Sequence, residues 1–86
     1  MRLRENFAAQ RIDGTLFLVA VGGEGFGGLV RCNATAAAIV DLLGEERSQE
    51  QIVDAMCARY DAPREEIAAD VEEVLNSLRR IGALEE

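Results

Sequence analysis

The sequence predicts a single α+β domain in which a three-stranded antiparallel sheet is followed by three helices, in the order β-β-β-α-α-α. The first 32 residues are rich in β-forming side chains and are interrupted by turn-forming residues. From Asn33 to Gly82 the apolar residues instead recur with the period of a helix. The 86 residues, 49% of them hydrophobic, are sufficient for one domain with one core. We therefore expect one domain over residues 1–86, with the sheet in residues 1–32 and the helices in residues 33–82.

The strands are predicted from two breaks in the first third of the chain. Asp13-Gly14 stands between two apolar stretches and indicates a tight hairpin, since both residue types tolerate a positive φ. The run 16–21 and the segment "GLVRC" at 28–32 have the composition of strands. Five glycines lie between Gly22 and Gly28, but a phosphate-binding loop would need a lysine and a helix directly after it. The chain has no lysine, so we interpret this cluster as a mobile hairpin tip carrying a partly exposed Phe26.

The helices are predicted from their end signals. Asn33 is a good N-cap for the first helix, and Ser48 with Gln51 forms a capping box for the second. Pro63 suits the first turn of the third helix, which Gly82 ends. The three predicted apolar stripes are Ala36, Ile39, Val40, Leu42 and Leu43; Ile52, Val53, Met56, Cys57 and Tyr60; and Ile67, Val71, Val74, Leu75, Leu78 and Ile81.

Composition argues against several functional classes. The chain has no histidine, which removes Ser-His-Asp and Cys-His catalysis, and its two cysteines are too few for a zinc site. We therefore expect no enzyme activity, no catalytic residue, no metal and no cofactor. No apolar run is long enough to span a membrane and no signal peptide is evident, which favours a cytoplasmic protein with reduced thiols. The net charge is −7, and residues 34–86 hold five arginines against thirteen acidic residues, which argues against a nucleic-acid partner.

The segment from Cys32 to the end of the chain resembles the PqqD-like family, named from pyrroloquinoline quinone biosynthesis. The family pattern is close to L-N-x-T-A-x-x-I-W-x-L-L at the start of the first helix and D-V-x-x-x-L-x-x-L-x-x-x-G-L-L-E in the third. The matching positions are Asn33, Thr35, Ala36, Ile39, Leu42, Leu43, Ile52, Tyr60, Asp61, Asp70, Val71, Leu75, Leu78, Gly82, Leu84 and Glu85. The chain departs from the pattern at Cys32, Val40 and Ala83, where the family has larger apolar residues.

The resemblance implies a winged-helix-like fold that recognises ribosomally made precursor peptides. In the family, the leader segment of the precursor adds as a strand beside the third strand, in the groove between that strand and the third helix. A separate modifying enzyme, often a radical S-adenosylmethionine protein, then acts on the attached core peptide, and the small stand-alone members are not catalysts. The implied partners are a precursor peptide and a modifying enzyme.

An edge strand at 29–32 gives this expectation a physical basis, since an added peptide would satisfy its unpaired N–H and C=O groups. Its side chains alternate, so Leu29 and Arg31 face one side and Val30 and Cys32 the other. The predicted peptide-binding residues are Leu29, Val30, Arg31, Cys32, Asp70, Val71, Val74, Leu75, Leu78 and Arg79. The apolar residues of the third helix fit a core position as well as a groove wall, with Val74 and Leu78 favoured for the groove.

Two other functions are compatible with the predicted architecture. One is a non-catalytic subunit that stabilises a partner enzyme by docking its apolar edge. The other is a winged-helix DNA-binding domain, which the acidic third helix disfavours because Asp70, Glu72 and Glu73 would face phosphates. The predicted oligomeric state is a monomer or a weak homodimer paired through the edge strand.

Overall fold

The computed structural model describes residues 1–20 and 28–86. Its elements are β1 (Arg2–Leu3), β2 (Phe7–Ile12), β3 (Thr15–Ala20), β4 (Leu29–Cys32), α1 (Ala34–Leu42), α2 (Gln49–Arg59), α3 (Arg64–Arg80) and β5 (Leu84–Glu85). Strands β2, β3 and β4 form the expected three-stranded antiparallel sheet, in that order, and the three helices follow it. The α+β prediction is therefore confirmed. The predicted glycine-rich hairpin tip, with Phe26, lies outside the described residues.

The β2–β3 hairpin turns at Asp13-Gly14, as the sequence predicts. Asp13 has φ 52° and Gly14 has φ 79°, so both central residues lie in the left-handed region that a two-residue hairpin of type I′ requires. Ile12 and Thr15 pair directly across this turn, and the register continues without a bulge to Phe7 opposite Ala20. The turn therefore fixes which side chains of the sheet face the helices.

The predicted helix caps are present. The Asn33 side-chain oxygen accepts a hydrogen bond from the Ala36 amide at 2.8 Å, which satisfies one of the free donors at the start of α1. At the start of α2, the Ser48 hydroxyl accepts from the Gln51 amide at 3.1 Å and the Gln51 side chain accepts from the Ser48 amide at 2.9 Å. Helix α3 begins immediately after Pro63. Local sequence signals thus place the three helix starts.

The core lies between the sheet and the three helices. Its fully buried side chains come from β3 and from every helix, and include Leu18, Ile39, Ile52, Val71 and Leu75. One predicted stripe residue is not part of it. Tyr60 is 40% exposed because α2 ends at Arg59 and Tyr60 itself adopts an extended conformation, which turns it off the apolar face.

A second, two-stranded sheet, which the sequence does not predict, pairs residues near the two ends of the chain. Strand β1 pairs antiparallel with β5, so the first residues of the chain belong to a different sheet from β2–β4. The Leu3 amide donates to the Leu43 carbonyl at 3.0 Å and the Arg4 amide to the Ala83 carbonyl at 2.8 Å. Strands of two residues are too short to show an alternating pattern in sequence. Their pairing depends on contacts between residues more than 80 positions apart in the chain.

Candidate functional site

Strand β4 is one of the two edge strands of the three-stranded sheet, and β2 is the other. Among residues 1–20 and 28–86 it pairs with β3 alone, so one side of its backbone has no strand neighbour. Val30 lies opposite Leu18, whose side chain is completely buried, and Cys32 lies opposite the buried Leu16. Val30 and Cys32 therefore face the helices, whereas Leu29 and Arg31 face the outer side of the sheet.

The β2–β3 hairpin determines where the backbone groups of β3 point. In a two-residue hairpin the residues that flank the turn, Ile12 and Thr15, form the closing hydrogen-bonded pair. Along a central strand the N–H and C=O groups of successive residues point alternately to its two neighbours. Since the Thr15 groups point towards β2, those of Leu16 and Leu18 point towards β4.

This alternation also determines the free edge of β4. Cys32 and Val30 are the partners of Leu16 and Leu18, so their N–H and C=O groups are used within the sheet. The N–H and C=O groups of Leu29 and Arg31 consequently point away from β3, to the unpaired edge. An extended chain running beside β4 would bond to these two residues.

A groove of about 440 Å³ runs beside this edge. Its walls come from β4, α1 and α3, and Leu18 of β3 also lines it. It is lined by Leu18, Val30, Arg31, Cys32, Asn33, Thr35, Ala36, Val40, Asp70, Glu73, Val74, Ser77, Leu78 and Ile81, and is called the β4–α3 groove below. The free backbone edge and a groove with both apolar and polar lining residues thus lie side by side.

Helix α3 presents one stripe of side chains to the groove. Asp70, Glu73, Val74, Ser77 and Leu78 follow the i, i+3, i+4, i+7, i+8 spacing of a single helical face. The stripe is polar in its first turn and apolar towards its end, where Ile81 continues it. The groove wall therefore changes in character along its length.

The carboxylates of this wall, Asp70 and Glu73, have no ion-pair partner within 4.0 Å among the described residues, and the same is true of Glu65, Glu66 and Glu72 on the same helix. The arginines of the same helix have other partners: Arg64 contacts Asp54 at 2.7 Å and Arg79 contacts Glu86 at 2.9 Å. Arg80 donates at 2.9 Å to the hydroxyl of Ser77, which itself lines the groove. The α3 wall is negative where it meets the groove.

The predicted site residues fall into two groups. Val30, Arg31, Cys32, Asp70, Val74 and Leu78 line the groove together. Val71 and Leu75 have no exposed surface and belong to the core, Leu29 points to the outer face with 59% of its surface exposed, and the Arg79 guanidinium is bound by Glu86 and Asn76. These last four do not line the groove.

Sequence reasoning missed several lining residues. Leu18, Val40 and Ile81 were assigned to strands and apolar stripes, and only their packing places them beside the groove. Thr35 and Ala36 lie on the first turn of α1, immediately after the Asn33 cap that the sequence identifies. The sequence signal that could have identified these two residues is the small side chain of Ala36 close to the helix cap, because a small side chain leaves room next to the strand edge.

The Cys32 thiol lies at the boundary between core and groove. It is 8% exposed and also lines a second groove of about 450 Å³, which includes Arg11, Thr15 and Ala37 and shares Arg31 and Asn33 with the first. Burial raises the pKa of the Cys32 thiol, because a thiolate loses its hydration there. A raised pKa is the opposite of what a nucleophilic cysteine needs.

The described residues offer no cluster of three or more histidine, cysteine or acidic side chains that could hold a metal ion. Among them, no helix combines the length and the apolar character that crossing a membrane would require.

Comparison with known proteins relates this architecture to a family. Two solved structures share the fold: "TbiB1 in Complex with the TbiA(beta) Leader Peptide" has a TM-score of 0.84 and 28% identity, covering 99% of this chain and 95% of that one. "Lasso peptide synthetase B1 complexed with the leader peptide" has a TM-score of 0.78 and 24% identity, covering 95% of this chain and 93% of that one. No curated protein matches the chain in sequence. The family model for coenzyme PQQ synthesis protein D (PqqD) matches residues 15–84. Because this match runs from β3 to β5 and includes all three helices, the chain belongs to the PqqD family.

Proposed function

We propose that this protein binds the leader segment of a ribosomally synthesised precursor peptide as an added strand on β4, and presents the precursor to a separate modifying enzyme. The observation that carries the proposal is the free edge at Leu29 and Arg31, directly beside the β4–α3 groove. Strand addition supplies main-chain hydrogen bonds that do not depend on sequence, and a neighbouring groove supplies side-chain selectivity. The TbiB1 structure, in which a protein of this fold is bound to a leader peptide, supports the same proposed function.

In this proposal the protein is a non-catalytic, cytoplasmic module. The modifying enzyme is a separate chain, and a radical S-adenosylmethionine enzyme is one candidate for it. Leu29, Arg31, Val30, Cys32, Val74 and Leu78 are the residues that we expect to contact the leader, the first two chiefly through their backbone. Val71 and Leu75 lie in the core behind the groove, and Arg79 lies beside it with its guanidinium bound by Glu86.

The test measures binding of a fluorescein-labelled synthetic leader, taken from a precursor gene next to the gene for this chain, by fluorescence anisotropy. Arg31→Pro removes the amide that faces the free edge, and proline is tolerated at an edge position whose N–H faces solvent. Arg31→Ala is the matched control, since it removes the same side chain and keeps the amide. Loss of one hydrogen bond, with a peptide carbonyl left unpaired, costs about 1–2 kcal/mol. We expect Arg31→Pro to bind about tenfold more weakly than Arg31→Ala.

Amide hydrogen exchange gives an independent measurement on the unsubstituted protein. The Leu29 and Arg31 amides should exchange rapidly in the free protein and become protected when the leader is bound. The Val30 and Cys32 amides should be protected in both states, because β3 already occupies them.

Equal binding by the two Arg31 variants, with no new protection at Leu29 and Arg31, would exclude strand addition on β4. A folded protein that binds no leader at all would instead favour the structural-subunit function. That function predicts a stable complex with the neighbouring enzyme in the absence of precursor.

A further inference from the structure

The dimensions of the β4–α3 groove limit the number of peptide residues that it can contact. A strand of four residues is about 13 Å long. The α3 stripe from Asp70 to Ile81 advances eleven residues, or about 16 Å at the rise of a helix. A peptide extended along this path therefore has about five residues in contact with the groove.

The position of these residues follows from the alternation of a strand. A peptide paired with β4 continues the pleat of the sheet, so every second side chain points to the same face as Val30 and Cys32. Those side chains face the apolar lining of the groove, in which Val30, Val74 and Ile81 are half-buried and Leu18 and Val40 belong to the core. Inward-facing leader residues separated by two positions are accordingly expected to be apolar.

One section of the groove is different, because two carboxylates lie on its α3 wall. Asp70 and Glu73 are three residues apart on one helical face, which places them close enough to contact a single cationic group together. Both are exposed, and within residues 1–20 and 28–86 neither has an ion-pair partner. The lining includes one cation, Arg31, whose side chain belongs to the outer side of β4.

From these observations we infer that the groove selects a leader segment with alternating apolar residues and a lysine or arginine at a further inward-facing position of the same alternation, held between Asp70 and Glu73. This inference rests on the proposed function and specifies its ligand. The backbone of β4 holds any extended chain, the apolar section favours alternating apolar side chains, and the two carboxylates set the register by binding the basic residue. One charged contact is enough to fix the register of the peptide, because a shift by one residue would turn the basic side chain to the opposite face of the sheet.

The test selects ligands from a display library of eight-residue peptides with all positions random, using the full chain as bait. The substituted bait is the double variant Asp70→Asn/Glu73→Gln. The matched control is Glu65→Gln/Glu66→Gln, which removes the same charge from the first turn of the same helix, at exposed residues that do not line the groove. Circular dichroism checks that each bait is folded.

We expect the unsubstituted chain to enrich peptides with apolar residues two positions apart and a basic residue at a constant distance from them. For a selected peptide, replacing that residue with glutamine should weaken binding about two- to fivefold, which is the range of exposed charge pairs. The Asp70→Asn/Glu73→Gln bait should lose this preference, and the Glu65→Gln/Glu66→Gln bait should keep it. The two baits have equal net charge, so a general attraction to an acidic protein would affect both alike.

The outcomes separate this inference from the proposed function. Selected peptides without a basic position, or a basic preference that survives Asp70→Asn/Glu73→Gln, would overturn the inference and leave leader binding intact. A preference lost equally in both substituted baits would also overturn it, because net charge alone would then be the cause. A folded chain that selects no peptide and binds no leader would overturn the proposed function, and the inference with it.

Discussion

Val71 and Val74 of α3 provide a direct test of the division between core and groove. They are identical residues less than one helical turn apart, and replacing either by alanine removes the same atoms. Val71 has no exposed surface, whereas Val74 is half-buried and lines the β4–α3 groove. Alanine also raises helix propensity equally at both positions, so that contribution cancels in the comparison.

The expected losses of stability differ because only one substitution leaves a cavity. Two buried methyl groups are worth about 1.6 kcal/mol in transfer free energy, and the cavity adds about 1 kcal/mol. Val71→Ala should therefore lower the free energy of unfolding by about 2.5 kcal/mol, which corresponds to a fall in Tm of about 10–20 °C in a domain of this size. Val74→Ala, which opens onto the groove, should lower it by about 1 kcal/mol or less.

The effects on leader binding should have the opposite order. Val74→Ala removes part of the apolar wall and should weaken binding about fivefold, whereas Val71→Ala should leave the Kd unchanged in a fully folded sample. Thermal unfolding followed by circular dichroism gives the stabilities. Fluorescence anisotropy at 15 °C, below both transitions, gives the affinities. A Val71→Ala variant that is folded yet binds as weakly as Val74→Ala would refute the assignment of Val71 to the core and Val74 to the groove.

Two further predictions concern stability and reactivity away from the groove wall. Ser48→Ala removes the capping box of α2 and should cost about 1 kcal/mol of stability without changing leader affinity. Thermal unfolding and anisotropy on the same sample would check both expectations. Weaker leader binding would show that the cap influences the groove. Cys32 should be alkylated by iodoacetamide at pH 8 at least about tenfold more slowly in the folded protein than in urea, because burial both shields the thiol and raises its pKa. Bound leader should slow the reaction further, as mapped by mass spectrometry, and a Cys32 that reacts equally fast in both states would contradict its placement.

The architecture could be predicted from the sequence because its signals are local. Asp13-Gly14 specifies a hairpin through two positive φ angles, and Asn33 and Ser48 specify helix starts through single hydrogen bonds. Each of these depends on residues within three positions of one another. The β1–β5 pair shows the opposite case, since its strands are two residues long and only tertiary contacts define them.

The site could be predicted only in part, because a helical stripe does not distinguish its centre from its margin. Val71, Val74, Leu75 and Leu78 belong to one apolar pattern, yet their burial ranges from complete to partial. The difference depends on where β4 lies relative to α3, which no local pattern specifies. In the same way, the alternation of residues 29–32 predicts two faces, but the register with Leu16 and Leu18 is what turns Cys32 and Val30 towards the helices.

The exposed edge of β4 could also pair with a second copy of the same chain, and the net negative charge of the protein opposes this pairing. An unpaired strand edge can bind a second copy of the same chain as readily as it binds a peptide. Two copies would each bring a net charge of −7, with thirteen acidic residues in residues 34–86, so their approach is opposed by electrostatic repulsion. A leader with a basic residue experiences the reverse force at Asp70 and Glu73. Under the proposed function, the acidic wall of the groove would thus disfavour self-association and favour the ligand through the same charges.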